Sequence, residues 1–219
     1  SDLFSVFFFV LGILLLSIAM KKKDRFAKLL SNIIVPILVL LSVVASTISV
    51  SLPLSKSILL IIFTFVVPMS TGILFKKLKI TTDYGITKRE ERPKIFTLFL
   101  LSFLVALYIS IEVGNPFLAN IYTILSLTFL TGIFVTLFWK ISFHMIISTL
   151  AIFFTIYLLR NPYSYLLLLL LPLIGWSRVQ LKRHNYQQVI AGFLLTALCI
   201  LIVLDFSNSG RIQEKYLIR

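Results

Sequence analysis

Acidic side chains are scarce in this chain: eight Asp and Glu stand against 21 Lys and Arg in 219 residues, leaving a formal charge of +13. The aspartates Asp2, Asp24, Asp83 and Asp205 are scattered, so the repeated aspartates with which membrane prenyltransferases hold magnesium are absent. Cysteine is rarer still. Cys199 alone cannot form an intramolecular disulfide, and within an apolar run its expected role is packing. Charged residues make up only 13% of the chain, far below the share of a soluble globular domain. No internal repeat and no separate soluble domain is apparent, and histidine occurs only at His144 and His184.

What fills the chain instead is hydrocarbon. Hydrophobic residues make up 59%, the mean hydropathy is +1.04, and apolar runs reach about 20 residues, the length at which an α-helix crosses a bilayer core. Lipid offers no partner to backbone N–H and C=O groups, and a helix satisfies them within one segment. The expected fold is therefore all-α, a polytopic membrane helix bundle without strands. About eight transmembrane helices are expected, at 3–20, 29–50, 57–75, 95–111, 116–138, 141–159, 162–176 and 189–206. The first run ends at Met20 and Lys21-Lys22-Lys23 without a small-residue cleavage pattern, so it is expected to be a span rather than a cleaved leader. The seventh is the shortest and can extend into the polar segment behind it, while Pro36, Pro68 and Pro172 are expected to kink their spans.

The basic residues lie mostly in short loops between spans, where anionic headgroups of membrane lipids, not nucleic acid, are the expected partner. If the first span enters from outside, segments 21–28, 76–94, 139–144 and 177–187 share one face and hold 16 of the 21 Lys and Arg. The positive-inside rule makes that face cytoplasmic. Arg89, Lys182, Arg183 and the 21–28 cluster are expected to be headgroup contacts and topology determinants, and Glu112 and Asp205 solvated charges near the opposite face.

Three polar segments meet that basic face: Lys88-Arg89-Glu90-Glu91-Arg92-Pro93, Lys140 to His144, and Ser177 to His184. Each abuts a helix end. A helix N-terminus offers backbone N–H groups and partial positive charge, which suits an anion near Ser142 and His144. Lys88, Arg92, Lys140 and Arg178 together could neutralise a dianion, and arginine's planar fork matches phosphate oxygens. Either histidine alone reads as an ordinary interfacial residue; both together, with the Ser-Arg spacing, read as a phosphate site.

These segments resemble the three motifs of the type-2 phosphatidic acid phosphatase superfamily: Lys-x6-Arg-Pro, Pro-Ser-Gly-His and Ser-Arg-x5-His-x3-Asp. Ser177-Arg178, five residues and His184 reproduce the third spacing, and Val189-Ile190-Ala191-Gly192 opens the last span behind it. In the second, Ser142 and His144 match, with Ile141 for Pro and Phe143 for Gly. The first keeps Arg92-Pro93, with Gly85 at the lysine position and Lys88 the nearest lysine upstream. The resemblance covers about 76–206, which divides the chain into N-terminal spans 1–75, a phosphatase-like core 76–206 and a polar tail 207–219.

The resemblance implies a membrane phosphatase acting on a phosphorylated lipid without metal or other cofactor. It implies His184 as nucleophile and His144 as general acid, with Arg92, Arg178, Ser142 and Ser177 holding phosphoryl oxygens. Where the family has an orienting Asp, this chain has Gln188, whose amide oxygen can accept the ring N–H but brings no charge. Asp83, Glu90 and Glu91 are candidates for that missing carboxylate. Two alternatives stand beside hydrolysis: a headgroup phosphotransferase, in which a second lipid or polyol replaces water, and a non-catalytic lipid-phosphate binding or transport protein.

Overall fold

A computed structural model describes residue 12, residues 23–82, residue 86 and residues 88–217. The expected first span, 3–20, apart from Gly12, lies outside the described residues, as does Asp83. Helix α1 (Lys23–Leu29) runs through a π-helical turn (Leu30–Ile34) into α2 (Val35–Ser49), and α3 (Leu54–Ile61) through a second π turn (Ile62–Val66) into α4 (Val67–Lys77). A 3-10 turn (Arg89–Glu91) leads into α5 (Arg92–Glu112), followed by α6 (Pro116–Phe138) and α7 (Phe143–Leu159). A 3-10 stretch (Pro162–Leu169) opens α8 (Leu170–Gln180), and α9 (Tyr186–Leu217) ends the series. No strand occurs among the described residues.

Six helical runs are long and apolar enough to cross a membrane: Lys23–Ile48, Leu54–Lys77, Arg89–Glu112, Pro116–Phe138, Pro162–Gln180 and Tyr186–Ser207. The apolar helix Phe143–Leu159 is shorter, at 17 residues. These are the helices of an integral membrane protein. Seven of the eight expected spans thus coincide with helical runs among the described residues, six of them of full length.

Proline explains the two π turns. Its ring clashes with the carbonyl four residues back and it carries no N–H, so an α-turn ending on it is strained. Ahead of Pro36 the chain widens instead, with the Val35 N–H reaching back to Leu30 O. Pro68 likewise follows its π turn by two residues. Pro172 lies three residues into α8, directly behind the 3-10 stretch, and α8 continues through it.

By packing, the chain divides into two compact units: the described residues up to Ile61 with Trp139–Phe193, and Ile62–Phe138 with the described residues from Leu194 on. This grouping differs from the linear division at residues 75 and 206, because α1 and α2 pack on α8 and α7 within the first unit.

In the second unit, α5 and α6 form a helical hairpin whose turn is written in Gly114-Asn115-Pro116. Gly114 takes a left-handed φ of 69° just past α5, and its N–H donates to Ile111 O at 2.8 Å. Asn115 Oδ1 caps α6 by accepting from Phe117 N at 3.0 Å and Leu118 N at 3.1 Å, and Pro116 occupies the first helical position. Fully buried Phe129 forms the hub of an aromatic cluster, edge-on to Phe103 at 4.7 Å and to Phe96 at 6.3 Å between ring centroids. Inside a bilayer this fit, rather than escape from water, holds the pair together.

The first unit is built around Leu30, Ile146, Ile152, Leu170 and Ile174, with Phe26 against Trp176 at 6.0 Å. This core fixes the ends of α7, α8 and α9 that carry the polar segments.

Phe129→Ala is expected to destabilise the protein by about 3 kcal/mol or more, the usual cost of an unfilled aromatic cavity. Unfolding in detergent with increasing SDS measures it, and an unchanged midpoint would show that the cluster contributes no packing energy.

Candidate functional site

Three helix ends in the first unit are joined by hydrogen bonds. The seventh apolar stretch does extend, so Ser177 and Arg178 sit in the last turns of α8, at 0% and 4% exposure. The helix then closes in a Schellman turn: Lys182 N–H donates to Val179 O at 2.9 Å, and Arg183 N–H to Arg178 O at 3.0 Å. Lys182 takes the left-handed position, with φ of 53°, where glycine is usual. His184 N–H donates to the same Arg178 carbonyl at 3.3 Å, so the arginine and the histidine are tied through one oxygen.

Asn185 and Gln188 then form a reciprocal capping box that starts α9. Asn185 Oδ1 accepts from Gln188 N at 2.9 Å, and Gln188 Oε1 accepts from Asn185 N at 3.3 Å. The same Oε1 lies 3.0 Å from His184 Nδ1. Because a backbone N–H already donates to it, that atom is the amide oxygen, and Nδ1 must carry the ring proton. In its neutral form the imidazole of His184, only 7% exposed, therefore keeps its lone pair on Nε2.

The Gln188 backbone carbonyl accepts the N–H of Ser142 at 3.2 Å, which docks the start of α7 on the first turn of α9. Gly192 permits this approach: a Cβ there would lie 2.8 Å from Ser142 O and 3.1 Å from Met145 Cβ. Ser142 occupies the N-cap position of α7 in extended conformation, yet its hydroxyl does not cap the helix. At 0% exposure, Ser142 Oγ has no hydrogen-bond partner among the described residues. An orphaned hydroxyl of this kind costs about 1–3 kcal/mol unless something meets it.

The other expected site residues fall as follows. Ser177 Oγ donates to Ile174 O at 2.7 Å, so its proton is engaged within α8. His144 is half-buried two residues beyond Ser142, and its carbonyl accepts Ser148 Oγ at 2.6 Å. Lys140 is half-buried two residues ahead of Ser142. Lys88 and Arg92 belong to the second unit, where Lys88 is exposed and Arg92, 3% exposed, donates from Nε to Ile86 O at 2.9 Å. Of the candidate carboxylates, Glu90 pairs with Arg89 at 3.7 Å, and Glu91 accepts from Thr82 N at 3.1 Å. Arg89, expected at the headgroups, also donates from Nη1 to Phe138 O at 2.8 Å, at the end of α6. Among the described residues, no three His, Cys, Asp or Glu side chains gather as a metal site.

Three participants lie outside the residues the motifs single out. Ser31 accepts from Arg178 Nη1 in a buried contact, and Asp24 accepts from Gln180 Nε2 at 2.9 Å. Asn185, the third, is readable from its spacing to Gln188 ahead of an apolar run. No protein-family model matches the chain, and no match is found among curated proteins or solved structures.

Gly192→Ala separates two opposing effects. Alanine in a helix is worth about 1 kcal/mol over glycine, but here the Cβ meets backbone, which cannot rotate away. Thermal unfolding in detergent is expected to show Gly192→Ala less stable than wild type. Gly72→Ala, with nothing within 4 Å of its Cβ, should be neutral or stabilising. A Gly192→Ala protein as stable as wild type would show that the close approach is dispensable.

Proposed function

We propose that this protein is a membrane-embedded lipid phosphatase, a divergent relative of the type-2 phosphatidic acid phosphatases, that cleaves a phosphomonoester or diphosphate from a lipid. The observation that carries this reading is Gln188, which holds Nδ1 of a buried imidazole while its backbone carbonyl takes the Ser142 N–H. The lipid tail lies among apolar helices and the headgroup meets the basic face, which the positive-inside rule makes cytoplasmic.

In this mechanism His184 Nε2 attacks phosphorus as the bond to the lipid oxygen breaks, and His144 gives its proton to that oxygen. Water then opens the phosphohistidine, passing a proton to His144, and inorganic phosphate leaves. Phosphoryl transfer asks chiefly for positioning and charge neutralisation, which Arg178 and Lys140 supply within the first unit. Ser142, with its unspent buried hydroxyl, is the better donor to a phosphoryl oxygen; Ser177 must first release Ile174 O. Transfer to a second lipid or polyol would use the same first step.

Gln188 favours one other reading. An uncharged amide orients the imidazole but does not stabilise its cation, and in serine proteases the corresponding loss of a carboxylate costs about 10⁴ in rate. A lipid-phosphate binding or transport protein would retain this cradle without turnover.

Purified protein given defined lipid phosphates is expected to release phosphate. His184→Ala should abolish release and His144→Ala reduce it by roughly 10²–10⁴. Binding of the lipid phosphate without release, equal in all three proteins, would overturn the hydrolase. In an active enzyme, Gln188→Asp is expected to raise kcat by about tenfold by placing a carboxylate beside the ring; a fall would show that the amide's capping role outweighs the charge.

A further inference from the structure

We propose that Ser31 is a positioning residue for Arg178, which makes the helix carrying it a working part of the phosphate site; this rests on the reading above. Ser31 lies in the π turn before Pro36, at 1% exposure, and its hydroxyl meets Arg178 Nη1 across 147 residues of sequence. Hydroxyls farther along the same helix behave differently: Ser42, Ser46 and Thr47 each donate to the carbonyl three residues back. Ser31 instead faces a guanidinium on α8.

The widened turn gives a reason. With Val35 N–H on Leu30 O, the next donor in that register falls to Pro36, which has none, so the regular ladder is interrupted at Ser31. Such turns recur at functional sites, where they push one residue out of the helical repeat. A second bond, Gln180 Nε2 to Asp24 Oδ1 at 2.9 Å, ties the same two elements seven residues earlier in the chain, about two helical turns away. The N-terminal helix is thus fastened to the end of α8 on both sides of Phe26, whose ring lies against Trp176. Fixing one Nη fixes the plane of the guanidinium, and a planar fork grips phosphate oxygens only when that plane is right.

Labelling of the full chain in detergent with phenylglyoxal, read at Arg178 by peptide mass spectrometry, tests the assignment; exposed Arg160 serves as the internal standard. In Ser31→Ala, Arg178 is expected to label about ten-fold faster. Inorganic phosphate is expected to protect it there only at about ten-fold higher concentration, the scale of one lost hydrogen bond to a charged group. Ser31→Thr, which keeps the hydroxyl, should restore both toward wild type. Unchanged labelling and protection in Ser31→Ala overturn the positioning role and leave the phosphate site standing, and Ser31→Thr behaving like Ser31→Ala assigns the effect to packing and overturns it equally. If inorganic phosphate protects Arg178 in no variant, wild type included, the phosphate site falls and the role of Ser31 with it.

Discussion

One glutamine joins most of what is described in the first unit. The side-chain oxygen of Gln188 closes the cap of α9 and takes the Nδ1 proton of His184, while its backbone carbonyl receives the start of α7. A single residue thereby sets the tautomer of a buried imidazole and the distance between two helices. A buried polar network of this kind is stable only if its members are satisfied together, because each unmet group in a low-dielectric surrounding carries its full desolvation cost. Ser142 Oγ, buried and without a hydrogen-bond partner among the described residues, is an exception among these groups.

The polar groups of the first unit collect at helix ends for a physical reason. Within a span the backbone is satisfied internally, and hydroxyls such as Thr149 and Thr155 return to carbonyls of their own helix. At a terminus the last donors and acceptors need new partners. The Schellman turn of α8, the capping box of α9 and the Ser142 contact with Gln188 are three answers to that need. Their convergence joins the ends of three helices through hydrogen bonds made within the first unit.

Much of this was legible in the residues. Seven apolar stretches coincide with helical runs because membrane helices obey a length rule that composition exposes directly. The turn at Gly114-Asn115-Pro116 and the capping box at Asn185 and Gln188 are local, so their residues announce them. Contact between Gln188 and the ring of His184 is made across the cap of α9, because His184 lies ahead of the helix and Gln188 in its first turn. The partnership of Ser31 with Arg178 has no local sign, since it depends on which helices pack together. For the same reason the division at residue 75 does not describe the packing, in which α1 and α2 belong with α7 and α8.

The turn after α8 gives the interval between Arg178 and His184 a meaning beyond its count. Arg183 and His184 both close rings onto the Arg178 carbonyl, so the five intervening residues are the circumference of a hydrogen-bonded loop. Its left-handed corner is open to substitution, as lysine in the usual place of glycine demonstrates, although Gln180 within the loop is held by Asp24. Its length is not, because one residue more or fewer would turn the imidazole away from the amide that orients it. Substitution at the left-handed corner keeps this turn, whereas insertion or deletion breaks it.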